Sequence, residues 1–275
     1  MGPAVSPRAG SLGSVLTLLS PAKSLDLTSP LATRKHTQPR LLSQAGELIE
    51  VMRDKSVTEV ASLMDISEEL AAVNVERYRD FSAPFSPDNA RPAVLMFDGD
   101  VYRGMAAPSF DERDFTEANK SVRILSGLYG VLRPLDLIQP YRLEMGTALR
   151  TDRGANLYAW WGTRVSDLLT EDLAESPGAD LVVNLASGEY SGVVDFDRLG
   201  VPVVSPRFED QGPKGDWKVI SFPAKKARGM MAGWLVRNRA RNRRALLGFE
   251  EGGYRYQPEL STPDVPVFRR PRQAA

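Results

Sequence analysis

The chain has 275 residues, of which 42% are hydrophobic and 25% charged, and its 35 basic and 35 acidic residues give a formal net charge of zero. These values are typical of a globular protein with a large core. The absence of cysteine and the presence of a single histidine, His36, exclude disulfides, thiol nucleophiles, Cys/His metal cages and the usual Ser–His relay.

The first half of the chain begins with a Gly/Pro/Ser-rich stretch, residues 1–13, which predicts a flexible tail. Val15–Leu19 predicts a buried strand that stops before "SPAKSLD", because proline cannot join a central ladder. This apolar run is far too short to span a membrane. Apolar residues at helical spacing predict one helix in "PRLLSQAGELIEVMRDK". "TEVASLM" and "SEELAAVNVERY" predict two more, joined by a tight turn at Asp65–Ile66.

From Ala93 onward, helical and β-branched stretches alternate along the chain. "AVLMFDGDVYRGM" predicts a hairpin that turns at Asp98–Gly99. "DERDFTEANKSVRILSGLYG" predicts a helix that begins with acids and ends at Gly127 and Gly130, and "LYAWWGTRVSDLLTEDL" predicts a further helix. "DLVVNLAS", "VPVVS" and "WKVISF" predict strands. We therefore expect a single α/β domain over residues 14–258, with a mixed sheet and surrounding helices, followed by a Pro/Arg-rich tail over 259–275.

A short echo links two distant segments, because "LTLLSPAKSLD" and "KVISFPAKKARG" both run from a predicted strand into Pro-Ala-Lys. If the two strands lie parallel in one sheet, Lys23 and Lys225 emerge at the same edge. Ligands of open α/β sheets often bind at that carboxyl edge, so two lysines there would attract an anion.

One segment of this neutral chain is purely basic. Eight Lys or Arg residues and no acid lie between Lys225 and Phe249. A helix over Ala224–Leu246 would place Met230, Met231, Trp234 and Leu235 on a core face and Arg237, Arg241 and Arg244 on another. Solvated helices usually mix charge signs, which favours a phosphate-bearing partner. A nucleic acid, a plain surface helix, a small phosphate and a membrane surface all remain open.

The segment "LSGLYGVLRPLDLIQPYRLEMG" holds two further arginines. Arg133, Tyr141 and Arg142 could line a cleft, with Tyr141 stacking on a base or sugar. Alternatively, the two arginines are buried partners of Asp136 and Glu144.

Six motifs occur in a fixed order along the chain: "SPAKSLD", "FDGDVYRGM", the segment Leu125–Gly146, "NLASGEY", "SFPAKKARGMM" and "GFEEGGY". In this order they closely resemble the YaaA family of bacterial peroxide-stress proteins, and the resemblance covers about Leu16 to Tyr254. It implies a cytoplasmic protein that limits damage by hydrogen peroxide and is associated with lower free intracellular iron. It also implies DNA binding by a single α/β domain with a positively charged cleft and a helix-hairpin-helix element. No enzymatic activity is firmly attached to the family.

The helix-hairpin-helix element can be compared with this sequence. The usual hairpin is Leu-Pro-Gly-Ile-Gly-x-x-x-Ala, and its amides hold a DNA phosphate. The corresponding stretch here is "LMDISEELA", in which Asp65 and Ser67 replace the two glycines. Asp65 tolerates a left-handed backbone better than most residues, and Ser67 is a good N-cap. Glu68 and Glu69 would repel a phosphate, so contact by Ile66 and Ser67 stays open.

The first hypothesis is therefore a non-enzymatic protein that binds double-stranded DNA, including distorted DNA, without cofactor or metal. Its expected phosphate contacts are Lys23, Arg133, Arg142, Lys225, Lys226, Arg228, Arg237, Arg241 and Arg244. A metal site at Asp98 and Asp100 is not expected, since two carboxylates alone bind divalent metal weakly and a hairpin turn explains them. The alternative hypothesis is a hydrolase or lyase that acts on nucleic acid or a small phosphorylated compound. It would use Lys23, Glu189 and Lys225.

Overall fold

The computed structural model describes residues 14–175 and 179–272; the predicted tail over residues 1–13 lies outside them. The strands in these ranges are β1 (Ser14–Leu19), β2 (Ser24–Leu25), β3 (Arg91–Pro92), β4 (Phe97–Asp98), β5 (Val122–Ser126), β6 (Gly130–Leu132), β7 (Leu137–Ile138), β8 (Ala179–Asn184), β9 (Val203–Val204), β10 (Arg207–Gln211), β11 (Trp217–Lys218), β12 (Arg255–Tyr256) and β13 (Val267–Arg270). The α-helices are α1 (Leu42–Arg53), α2 (Val57–Met64), α3 (Glu68–Asp80), α4 (Ala93–Met96), α5 (Asp100–Met105), α6 (Glu112–Ser121), α7 (Leu157–Trp161), α8 (Arg164–Glu175), α9 (Gly188–Ser191), α10 (Ser221–Arg237) and α11 (Arg243–Leu247).

The larger sheet has five strands in the order β6-β5-β1-β8-β9. Strand β1 lies in the middle and pairs in parallel with both β5 and β8, while β9 extends the parallel part beside β8 and β6 is antiparallel. Parallel central strands are covered on both faces and are therefore continuously apolar. This explains the buried run predicted at Val15–Leu19. The predicted α/β fold with a mixed sheet is confirmed.

The smaller sheet has four strands in the order β11-β10-β13-β12. Strand β13 pairs in parallel with β10, and Phe268 on β13 stacks on Phe208 with ring centroids 5.6 Å apart. Part of the stretch expected as the 259–275 tail is strand β13, in which Val267 and Phe268 are buried. A Pro- and Arg-rich composition alone gave no signal for this packing.

The hairpin predicted in "AVLMFDGDVYRGM" is not formed. The stretch folds as α4, β4 and α5, and β4 pairs with β2 rather than with its own continuation. Gly99 has an extended backbone instead of a turn conformation and lies just before α5. Packing of α5 against α10 overrides the local turn signal of Asp98–Gly99.

The helix predicted over "DERDFTEANKSVRILSGLYG" is correct only at its start. Asp111 and Asp114 form a capping box, and α6 then ends at Ser121. The next five residues form β5, which is buried throughout and pairs with the central strand β1. Gly127 therefore lies in the β5–β6 connection and Gly130 begins β6, so neither glycine ends a helix.

The helix predicted over Ala224–Leu246 is two helices. Helix α10 ends at Arg237, Arg239 has a positive φ of 49°, and α11 begins at Arg243. The strand predicted in "WKVISF" is shorter than expected, since β11 ends at Lys218 and α10 begins at Ser221.

The helices predicted for the stretches of α1, α2 and α3 are confirmed, and one contiguous hydrophobic core joins the two sheets and the surrounding helices. Helix α1 buries Ala45, Leu48, Ile49 and Met52. Helices α7 and α8 together occupy the stretch that was predicted as one helix.

Candidate functional site

The site begins where two neighbouring parallel strands end. Ser20 follows β1 and Ser187 lies shortly after β8, at the carboxyl edge of the larger sheet. The backbone N–H of Ser187 donates to Ser20 Oγ at 2.9 Å, and the two hydroxyl oxygens are 3.3 Å apart. The Tyr102 hydroxyl donates to the Ser20 carbonyl at 2.9 Å. These bonds tie the two strand ends to α5 at the edge where ligands of open α/β sheets bind.

Helix α10 is held against α5 by glycines that allow the two backbones to touch. A Cβ at Gly229 would lie 1.7 Å from the Val101 carbonyl oxygen, and one at Gly104 would lie 2.2 Å from the Lys226 carbonyl oxygen. Gly233 is equally tight against Met105, with 2.5 Å to its carbonyl oxygen. This seam fixes the first turns of α10 beside the Ser20 edge of the sheet.

The strand ends, α5, α9 and α10 together enclose a cleft of about 560 Å³. Three cationic side chains line it, Lys23, Lys225 and Arg228, together with the Ser20 and Ser187 hydroxyls. Its carboxylates are Asp98, Asp100 and Glu189, and its aromatic residues are Tyr102, Tyr190 and Phe222.

Lys23 and Lys225 therefore share one cavity, but not for the reason that the sequence echo suggested. Strand β11, which precedes Lys225, belongs to the smaller sheet and is antiparallel to β10. Lys225 reaches the carboxyl edge of β1 because the glycine seam places α10 there.

The charges in the cleft are unequally compensated. Lys23 Nζ lies 3.0 Å from Glu144 Oε1, and the Arg142 guanidinium lies 3.0 Å from the same oxygen. In residues 14–175 and 179–272, no carboxylate forms an ion pair with Lys225 or Arg228. Burial lowers the pKa of the half-buried Arg228 guanidinium. A ligand anion at Lys225 and Arg228 would thus meet cations that no acidic group of the described chain already neutralises.

Two of the three carboxylates in the cleft, Asp98 and Glu189, already accept hydrogen bonds from other residues of the protein. Both oxygens of Asp98 accept hydrogen bonds from Arg103, each at 2.9 Å. Glu189 Oε1 accepts from the Gly146 N–H at 3.0 Å, and among the described residues Lys23 pairs with Glu144 rather than with Glu189. The cleft is consequently mixed in charge, with its cations on α10 and after β1.

Several predicted phosphate contacts are instead internal ion pairs. Arg237 bonds both carboxylate oxygens of Glu251, at 3.0 and 3.2 Å. Arg241 holds both oxygens of the buried Glu117 from α6. Because α10 ends at Arg237 and a second helix, α11, begins at Arg243, Arg244 is exposed on a different helix from Lys225. The expected continuous basic track over residues 225–244 is therefore wrong.

In the segment Leu125–Gly146, the two arginines form ion pairs with the acids of the same segment, as the alternative interpretation predicted. Arg133 pairs with Asp136 at 3.0 Å and donates to the Gln38 carbonyl, and Arg142 pairs with Glu144. Tyr141 cannot stack on a base, because it is buried and its hydroxyl is 2.6 Å from Ser126 Oγ. Burial raises the pKa of Tyr141.

Helices α2 and α3 are joined by the predicted tight turn. Asp65 adopts the left-handed conformation, with φ 51° and ψ 58°, and Ser67 caps α3 by accepting from the Leu70 N–H at 3.3 Å. Glu68 and Glu69 occupy the first turn of α3. The geometry of the turn is as expected, while a phosphate contact at Ile66 and Ser67 stays a prediction.

Two residues, Arg77 and Phe222, were not predicted from the sequence as candidate site residues. Arg77 on α3 is half-buried, with its pKa lowered by burial and, to a lesser extent, by the neighbouring Arg142. Among the described residues no carboxylate pairs with Arg77. Phe222, at the start of α10, is 71% exposed. Arg77 had no sequence signal, whereas Phe222 could have been noticed as an aromatic immediately before the basic run.

Residues 14–175 and 179–272 contain neither a metal-binding cluster nor a membrane-spanning helix. Within them, no group of three or more His, Asp or Glu side chains is arranged to hold a metal ion. None of the helices in these ranges has the length and apolar character needed to cross a membrane.

Comparison with known proteins identifies the family. A family model described as "Peroxide stress protein YaaA" matches residues 15–260. A UPF0246 protein of Marinomonas sp. (strain MWYL1) is 50% identical over 257 residues, covering 94% of this chain and 97% of the relative. One from Tolumonas auensis is 51% identical over 257 residues, covering 94% and 98%. A third, from Cellvibrio japonicus, is 48% identical over 256 residues, covering 93% and 98%. The resemblance inferred from the six motifs is confirmed, and this chain belongs to the peroxide stress protein YaaA family.

Proposed function

We propose that this member of the family acts during peroxide stress as a cytoplasmic DNA-binding protein. The cleft at Ser20 would hold the backbone of double-stranded DNA, including distorted DNA, through Lys23, Lys225 and Arg228. One observation carries the proposal: cationic residues about 200 positions apart in the chain line a single cleft. Two of them have no carboxylate partner among the described residues.

The cationic surface would continue from the cleft toward α3 rather than along α11. Lys23 and Arg142 share Glu144, and Arg77 on α3 lies close enough to Arg142 for their charges to interact. Tyr78, next to Arg77, donates a hydrogen bond to the Arg142 carbonyl. This path leads toward the α2–α3 pair, whose turn is the other candidate phosphate contact.

Four residues are retained as phosphate contacts: Lys23, Lys225 and Arg228, which line the cleft, and the exposed Lys226 beside them on α10. Arg133, Arg237 and Arg241 are withdrawn, because a carboxylate holds each of them and their side chains are no more than 32% exposed. Lys23 is also paired, but its side chain is 63% exposed and accessible to a phosphate. Contacts from lysine and arginine to phosphate position DNA but read no sequence. Binding is therefore expected to be non-specific or selective for DNA shape.

The test is duplex binding over a salt series. Each phosphate contact contributes about −0.9 to the slope of log K against log salt concentration. Lys225→Ala should reduce the magnitude of the slope by about one. Lys120→Ala is the matched control, since Lys120 is exposed at the end of α6 and outside the cleft, and it should leave the slope unchanged. A binding constant that does not respond to salt would refute the proposal.

The association of the family with lower free iron is proposed to be indirect. The described chain offers no cluster of three metal-binding side chains, and Asp98, one of the two carboxylates considered from the sequence, is held by Arg103. The iron effect would then arise through the bound DNA or through other proteins.

A second candidate function is catalytic, because Lys23, Glu189 and Lys225 line the same cavity. A hydrolase or lyase acting on nucleic acid or a small phosphorylated compound could use them. Against it, the Lys23 side chain is 63% exposed and already paired with Glu144, whereas an activated lysine is usually desolvated. Turnover of damaged DNA that disappears in a folded Lys23→Ala variant would establish it, and no turnover across a broad substrate panel would count against it.

A further inference from the structure

Phe222 is the one large aromatic side chain that the described chain leaves in solvent. It is 71% exposed, the highest value among the exposed large hydrophobic residues. Of the chain's ten phenylalanines, eight are buried and Phe196 packs against the core. Isolated exposed apolar residues are common and by themselves indicate nothing. The position of Phe222 is what distinguishes it.

Phe222 lies at the cleft beside the uncompensated cations. It occupies the first turn of α10, and Lys225 and Arg228 follow on the same helix three and six residues later. All three line the cleft. With a rise of 1.5 Å per residue they are spaced about 4.5 Å and 9 Å from Phe222 along the axis, a range that one nucleotide covers between its base and its phosphates. Pro223 restricts the backbone next to the ring, so the ring is presented from a stiff helix start.

The positive and negative side chains of the cleft favour different parts of a nucleotide. Asp100 and Glu189 line its wall and would repel a phosphate that entered. Glu189 uses one carboxylate oxygen for the Gly146 N–H. Free carboxylate oxygens there can accept a hydrogen bond from an N–H group on a base edge, such as the N3–H of an unpaired thymine or the amino group of cytosine. A phosphate is thus favoured at Lys225 and Arg228, and an uncharged base edge is favoured toward the acidic wall.

We propose that the cleft accepts an unpaired nucleotide, with its base stacked on Phe222 and its phosphate at Lys225 and Arg228. The inference rests on the proposed DNA binding and sharpens it, because it names the form of DNA that the site takes: a single strand, or a duplex with an unpaired base. Stacking on an aromatic ring accepts any base, because every base has a π-face.

The experiment measures dissociation constants by fluorescence anisotropy with three labelled DNAs of equal length. These are an oligo-dT strand, a duplex with one central unpaired thymine, and a perfectly paired hairpin whose loop is closed by a flexible non-nucleotide linker. The variants are Phe222→Ala, Phe222→Trp and, as matched control, Val219→Ala. Val219 is also apolar and 48% exposed but does not line the cleft.

Phe222→Ala should weaken binding of the single strand and of the bulged duplex by about 5- to 100-fold, which is the effect of losing one base–aromatic stack. The paired hairpin should change less than about twofold, and the salt slope should stay constant because no phosphate contact is removed. Phe222→Trp should retain tight binding, and Val219→Ala should behave as the wild type.

The possible outcomes distinguish a failure of the stacking proposal from a failure of the proposed DNA binding. If the wild type binds the paired hairpin with the expected salt slope and Phe222→Ala changes nothing, the stacking role is refuted while DNA binding stands. Equal weakening of all three DNAs by Phe222→Ala also refutes it, since the ring would then serve packing or a general contact. If the wild type binds none of the DNAs, both proposals fail.

Discussion

Replacing Gly229 by alanine tests whether the α5–α10 seam is as tight as the structure indicates. The new Cβ would lie 1.7 Å from the Val101 carbonyl oxygen, 2.6 Å from its carbonyl carbon and 2.9 Å from the Met105 nitrogen. All three are backbone atoms of α5, so no side-chain rotation can relieve the overlap. The two helices would have to move apart by roughly an ångström or more.

Two opposing effects decide the sign of the change. Alanine is favoured over glycine in a helix interior by about 1 kcal/mol. Overpacking typically costs about 1–3 kcal/mol and sometimes more, and backbone overlap places Gly229→Ala at the upper end of that range. We expect a net loss of about 2 kcal/mol or more in the free energy of unfolding.

The assay is urea unfolding monitored by circular dichroism, with the midpoint compared at an unchanged slope. Gly46→Ala is the matched control, because Gly46 lies within α1 and its added Cβ would meet nothing within 4 Å. That variant should gain about 0.5–1 kcal/mol. The account of the seam would be refuted if Gly229→Ala unfolded at the same urea concentration as the wild type, or at a higher one.

Two further predictions concern buried carboxylates that pair with arginines, Asp172 and Glu117. Asp172 accepts from Arg40 and Arg123, so Asp172→Asn should cost about 3–5 kcal/mol in urea unfolding at pH 7. Burial acts to raise the pKa of Asp172, but the hydrogen bonds from Arg123 and Arg40 outweigh it and the pKa is lowered. Its stabilisation is therefore complete above the unfolded pKa of about 3.9 and is lost as pH falls through the lower folded value. Unfolding of Asp172→Asn should lack this part of the decline below about pH 4, and an unchanged pH profile would contradict this. Arg241→Ala should cost about 1–3 kcal/mol, because it leaves the buried Glu117 unpaired, and should leave the salt slope of DNA binding unchanged; a reduced slope would restore Arg241 as a phosphate contact.

Local signals in the sequence sufficed wherever the structure is decided locally. The apolar run of β1, the spacing of buried residues in α1 and the Ser67 cap after the Asp65 turn all follow from neighbouring residues. The repeated Pro-Ala-Lys sequence led to the prediction that Lys23 and Lys225 lie close together. The prediction identified the right residues for the wrong reason, because the close packing of α10 on α5, and not a shared sheet, places them in one cleft.

Long-range partners decided the features that the sequence did not predict. Arg241 and Glu117 are 124 positions apart in the chain, so the carboxylate that neutralises the arginine is invisible in a local stretch of basic residues. Strand β5, which was predicted as part of the α6 helix, pairs with the distant β1 as well as with β6. The hairpin at Asp98–Gly99 is not formed, because β4 pairs with β2 and α5 packs against α10.

The order of the strands has a consequence for synthesis of the protein. Thr17 on β1 pairs with Val122 on β5 and with Val183 on β8. Helix α10, which begins at Ser221, also lines the cleft. A ribosome must therefore release the first, middle and late parts of the polypeptide before any of the cleft exists. Nascent or prematurely terminated chains would carry its lysines and its exposed ring without the enclosure, so the cleft becomes competent only in the nearly finished protein.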